Sequence, residues 1–176
     1  MSQINVNTIA EQSSGSGVTI DSLLVKDGLA FSGIMQAVSW GPISGTGNQL
    51  EATDNAYEDI PNMTLTITPK VATSKIFYLA SVGFWRTEVP GAIKVVENSS
   101  GSFVDLHEMR MQGDSTDGVD SGGNVMLMGL LDHNTTNAIT IKAQGAKENY
   151  SNGSNRFRIN WYGQESYGIA FEIGAI

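Results

Sequence analysis

The chain of 176 residues contains no cysteine. That removes disulfides, thiolate nucleophiles and cysteine zinc sites together, and leaves the redox state of its surroundings unspecified. Basic residues are scarce: 10 Lys and Arg stand against 18 Asp and Glu, a formal net charge of −8, and the cations are scattered. A nucleic-acid footprint needs a basic stripe to displace counterions, and an anionic membrane surface needs much the same, so the composition argues against both partners. The longest apolar run, Val125–Leu131, is far too short to span a bilayer. Met1–Gln12 has neither the basic patch nor the apolar core of a secretory signal, so the five N-x-S/T sequons, at Asn62, Asn98, Asn134, Asn149 and Asn152, read as loop and strand-edge composition. No window carries a sustained helical period, and no repeat of fixed length suggests a propeller or solenoid.

What is present is strand after strand. Met63, Leu65 and Ile67 alternate with Asn62, Thr64, Thr66 and Thr68, a half-buried strand that Pro69 closes. Lys75–Glu88 is apolar on both faces in its middle. Further strands are expected at Ile34–Trp40, Ala92–Glu97, Phe103–Gln112, Val125–Asp132, Ala138–Gln144, Arg156–Tyr162 and Gly168–Ile173, separated by loops rich in Gly, Ser and Asn. Eight or nine short strands at this spacing predict an all-β, antiparallel jelly roll or β-sandwich over residues 34–176. The chain end, Tyr167–Ile176, puts Ile169, Phe171 and Ile173 on one face. A strand of that kind belongs in a sandwich core or along the axis of an oligomer. Its layout resembles the trimeric jelly rolls of the tumour-necrosis-factor and complement type, which implies a homotrimer.

Residues 1–33 read as a separate attachment arm. Ile4, Val6 and Ile9 precede a flexible SSGSG segment, and Gly17–Gly28 (GVTIDSLLVKDG) forms two short strand pieces meeting at a corner. So small a strand pair is marginal alone. Its apolar residues call for a surface on another copy or another protein. The run Ile4–Gly28, about a seventh of the chain, resembles the "V-dT-I-e…sG-VTIDG-l-IKDG" opening shared by tailed-phage virion proteins, notably fibre-like structural proteins of marine phages, with Ser22 where that pattern has glycine. The resemblance implies a non-enzymatic virion structural protein, made in the host cytoplasm and carried on the particle surface. Attachment then falls to Ile4, Val6, Ile9, Val18, Ile20, Leu23, Leu24 and Val25, by strand addition and apolar contact with a virion partner such as the major capsid protein or a tail component. The short chain favours a head fibre or capsid decoration over a tail fibre. The alternative is a tail-fibre or receptor-binding tip whose lectin-like jelly roll recognises a host surface glycan.

Candidate chemistry is thin. Asp114, Asp117 and Asp120 are spaced by three, where an EF-hand alternates acids by two and ends on glutamate, so a solvated turn is the better reading and no metal is assigned. His107 and Glu108 begin an H-E-x-x-H pattern that Met111 breaks. His133, beside Asp132, has no G-x-S-x-G elbow to serve. Asp59, Glu88, Asp105 and Glu148 read as ordinary loop or strand-end acids. No cofactor and no catalysis are expected. Trp40, Phe84, Trp85, Trp161, Tyr162 and Tyr167 can stack on sugars where exposed, though core or interface roles are favoured, with Phe84/Trp85 and Trp161/Tyr162 each divided between two faces of a strand. The polar loop Lys147–Asn155 is the choice for receptor contact, through Asn149, Tyr150, Asn152 and Asn155.

Overall fold

In a computed structural model, residues 34–87, 89–111, 120–148 and 156–174 are described. All lie in one compact unit, Ser32–Ile176. The attachment residues Ile4 to Val25, Asp114 and Asp117, and the receptor-contact set Asn149, Tyr150, Asn152 and Asn155 lie outside the described residues.

Ten strands and no helix make up the described fold: β1 (Ile34–Ile43), β2 (Leu50–Ala52), β3 (Glu58–Ile67), β4 (Lys75–Thr87), β5 (Gly91–Glu97), β6 (Val104–Met111), β7 (Asp120–Asp132), β8 (Ile139–Lys147), β9 (Phe157–Ile159) and β10 (Ser166–Ile173). They form two antiparallel sheets packed as a jelly-roll sandwich. The four-stranded sheet runs β3-β8-β5-β6, and the six-stranded sheet is built around β4. β7 pairs with β4 over its full length, Lys75 opposite Asp132 to Thr87 opposite Asp120. The other side of β4 is shared: β10 takes Lys75–Ser81 and β9 takes Phe84–Arg86. β1 extends the sheet beyond β10, and β2 beyond β9.

Period-two patterning decides what lies between the sheets. In β3, Ile60, Met63, Leu65 and Ile67 are buried while Thr64 and Thr66 face water. The phase shifts once, between Ile60 and Met63, where Asn62 adopts φ 61° and the pairing with β8 slips. An asparagine tolerates that left-handed conformation better than most residues, which fits a bulge there. Ile76, Tyr78, Ala80 and Val82 of β4, Ile93 and Val95 of β5, Val125 and Leu127 of β7, and Ile139 and Ile141 of β8 complete the core with Phe157 and Ile159.

Three features differ from the sequence reading. β2 was not anticipated, because three residues cannot display a period; Leu50 and Ala52 are nonetheless core. Asp120 opens β7 instead of belonging to a turn. Trp161 and Tyr162 lie beyond β9, in a turn where Asn160 and Tyr162 have φ of 59° and 53°, so no strand divides them between two faces.

Candidate functional site: an apolar sheet face and a buried carboxylate

The two outer faces of the sandwich differ in chemistry. On the four-stranded sheet the outer face is a ladder of charges: Lys94 donates to Asp105 at 2.8 Å, Lys142 to Asp59 at 2.7 Å, Gln144 to Asp59 at 2.6 Å, and Arg110 is held by Glu108 and Glu148. Burial raises the Asp59 carboxyl, but the bonds from Lys142 and Gln144 outweigh it and hold the group below its ordinary value. Such a face is at home in water.

The outer face of the six-stranded sheet is different. Cross-strand register sets Leu130, Phe77, Phe171 and Ala37 in one row, Met128, Leu79, Ile169 and Ser39 in the next, and Met126, Ser81 and Tyr167 in a third. None of these side chains carries a charge at neutral pH. Met126, Met128 and Leu130 are 55%, 53% and 59% exposed. They are the outward half of the seven-residue apolar run, whose inward half is Val125, Leu127 and Leu131. The Phe77 and Phe171 rings stack at 6.4 Å. A depression of about 280 Å³ opens on this face between Ser39, Leu79, Ser81, Tyr167 and Ile169. Further along β4, Trp85 continues the same face by alternation; Tyr162, 70% exposed, packs edge-on against it at 5.1 Å. Trp161 lies beside Tyr162 and under the Arg158 guanidinium at 4.2 Å.

β10 accounts for the asymmetry. Its inward residues are Ser166, Gly168, Ala170 and Glu172, all buried, while Ile169, Phe171 and Ile173 face outward. Small residues are needed inside because Trp40 of β1 lies over Gly168: a Cβ there would stand 2.1 Å from the Trp40 ring. Trp40 is thus core, as is most of Phe84, whose ring stacks on Phe157 at 6.1 Å.

Glu172 is the unexpected member. Fully buried, it accepts hydrogen bonds at Oε1 from the Ser74 hydroxyl (2.7 Å) and the backbone N–H groups of Lys70 (2.8 Å) and Val71 (3.2 Å), and at Oε2 from Gln36 Nε2 (2.6 Å). Burial alone would raise its pKa; these four donors more than offset that and hold it below the ordinary carboxylate range. They belong to β1 and to the turn between β3 and β4, so the carboxylate ties both to β10. Ser74 also contacts His133 Nε2 at 3.2 Å, and His133 Nδ1–H donates to the Thr135 carbonyl at 3.0 Å. Acid, imidazole and hydroxyl are therefore gathered, but in the wrong order for a triad: the hydroxyl stands between the other two, Glu172 does not orient the imidazole, and all three are at most 4% exposed. His107 Nδ1–H donates to the Met128 carbonyl across the β6–β7 edge at 3.2 Å. Among the described residues no three His, Asp or Glu side chains converge as a metal site. Sequence reasoning missed Glu172 because it sits between Phe171 and Ile173 in an apolar strand, and its partners lie some 100 residues away.

No protein-family model and no curated protein matches the chain. A solved structure, that of Eiger TNF from S. frugiperda, is similar, with a TM-score of 0.51 and 9% identity over 80% of this chain and 94% of that one. The two share a TNF-like jelly-roll fold.

Proposed function

We propose that this protein is a non-enzymatic, homotrimeric surface component of a phage particle, held by its N-terminal arm and assembled through the outer face of the six-stranded sheet. The observation that carries the assembly is the contrast of the two outer faces. Exposing three uncharged apolar rows to water is costly at about 25 cal/mol per Å² of apolar surface, and a contiguous patch of this kind marks a contact site. A ring of three needs two complementary surfaces on each copy. The second is available at the β6–β7 edge, where Val104 and Met109 of β6 are exposed and His107 reaches the Met128 carbonyl. The last-strand layout noted in the sequence supports the same number, and the Ile4–Gly28 resemblance supports the particle.

Sedimentation equilibrium tests the assembly: the species expected is three times the 18.8 kDa chain. Met128→Lys together with Leu130→Lys should give a folded monomer, since both side chains point to solvent within one protomer. A monomeric or face-to-face dimeric wild type at micromolar concentration refutes the trimer. Cryo-electron microscopy of the particle tests the placement, with three copies on the capsid lattice and residues 1–33 against the shell as the expected arrangement. Copies clustered at the tail would favour the second reading, a receptor-binding tip, for which one feature of the opposite face speaks.

A further inference from the structure

That feature is a groove of about 440 Å³ at one end of the four-stranded sheet's outer face, within the roughly 300–1,000 Å³ range of small-molecule sites. Beneath it two adjacent strands carry alanine where their neighbours carry long side chains: Ala92 of β5 lies directly opposite Ala146 of β8, both buried, and Arg110 of β6 lies opposite Ala92 on the other side. One wall is Tyr57, whose ring rests on the Lys94 ammonium at 4.1 Å and whose phenol feels the Glu108 carboxylate. Burial, then the Glu108 carboxylate, pushes the Tyr57 phenol well above its ordinary pKa, so it stays a donor. The facing wall is Arg110, fixed from both sides by Glu108 and by Glu148, the latter at 2.9 Å from Nη1. Two backbone bonds hold the rim, Lys147 N–H to the Asp54 carbonyl at 2.8 Å and Glu148 N–H to the Pro90 carbonyl at 3.0 Å.

The walls are therefore set by their own contacts before any ligand arrives. Their charges nearly cancel: Lys94 and Arg110 stand against Asp105, Glu108 and Glu148, with Lys147 buried, on a chain whose net charge is −8. A polyanion gains nothing here, and an apolar ligand would strand the ionic rim. Carboxylate acceptors next to guanidinium and amide donors, beside an aromatic wall, suit a ring with vicinal hydroxyls on its edge and C–H groups on its face.

We propose that this groove binds a neutral glycan of one or two pyranose rings through Glu148, Arg110 and Asn55, with Tyr57 against the sugar's apolar face. The assignment rests on the receptor-tip reading for its biological setting alone. Glu148 directly precedes the segment that contains Tyr150, the residue singled out for receptor contact from the sequence.

The test uses the full-length protein with its alanine methyls labelled for NMR, titrated with the methyl glycosides of glucose, galactose, mannose and N-acetylglucosamine. At least one glycoside should shift the Ala92 and Ala146 methyls saturably. Ala146→Leu, which adds bulk beneath the groove, should weaken that binding at least about tenfold, read at Ala92. Glu148→Gln, which alters no volume, should weaken it as well, so the proposal stays testable if the leucine variant misfolds. The idea is overturned if no glycoside moves either methyl, if both variants bind as the wild type does, or if N-acetylneuraminic acid is preferred over every neutral sugar. Because the groove faces away from the apolar sheet, Ala146→Leu leaves the sedimentation result unchanged, and failure of the glycan site is distinguishable from failure of the trimer.

Discussion

Glu172→Gln is the most informative single substitution, since it keeps the shape of a buried group and removes its charge. Four donors converge on the carboxylate, three of them on one oxygen. A hydrogen bond to a charged acceptor contributes about 1.5–3 kcal/mol, against roughly 0.5–1.5 for a neutral pair. The glutamine carbonyl can still receive Lys70, Val71 and Ser74, while its NH₂ forces Gln36 to turn its amide. With partial compensation the net loss comes to about 2–4 kcal/mol. For a domain of this size each kcal/mol lowers Tm by roughly 2–4 °C, so a fall of about 5–15 °C is expected at pH 7. The sign of the pH dependence follows from the depressed pKa. The native carboxylate contributes stability above its unfolded value of 4.5, and that contribution is lost as pH falls through the lower folded value. Circular-dichroism melts at matched protomer concentration should therefore show the wild-type advantage whole at pH 7, shrinking below about pH 4.5 and closing in stronger acid. A variant melting within about 1 °C of wild type at pH 7, or a gap as wide in strong acid as at neutrality, would refute the reasoning.

Other outcomes follow from the same geometry. Gly168→Ala drives a methyl into the Trp40 ring and should cost about 1–3 kcal/mol or more, seen as a lower urea midpoint at unchanged slope. Asn160→Ala loses bonds to the Asn48 carbonyl and the Ser166 hydroxyl at a left-handed position and should cost roughly 2–4 kcal/mol, with Asn160→Gly recovering the backbone share in the same unfolding assay. Asp59→Asn on the solvated face should change stability by no more than about 1 kcal/mol, an effect that fades with added salt. Removing residues 1–33 should leave the sandwich folded and trimeric by sedimentation while abolishing incorporation into particles.

Much of the fold was legible because half-buried strands announce themselves by alternation. β3 reads correctly apart from its bulge, and β7 shows its two apolar faces as an unbroken run. β2 is too short to carry a period. The strand expected at Arg156–Tyr162 ends early, at Ile159: Trp161 and Tyr162 looked like strand because aromatics favour strands, whereas the turn there depends on the buried Asn160 side chain and its partners. The candidate groove was illegible for a plainer reason. Tyr57, Ala92, Arg110 and Ala146 come from four separate stretches, and two alanines mark the groove only once they stand side by side.

The sequence by itself determined the all-β class, the antiparallel character and most strand positions, because these follow from local pattern and composition. Tertiary structure decided which side of each strand meets which neighbour. Alternation in β10 defines two faces, Ile169, Phe171 and Ile173 against Gly168, Ala170 and Glu172, and hydrophobicity alone would put the first inside. Packing reverses this. The Trp40 ring occupies the space over Gly168, and donors from the distant β3–β4 turn stabilise a buried Glu172, so the greasier face is left outward.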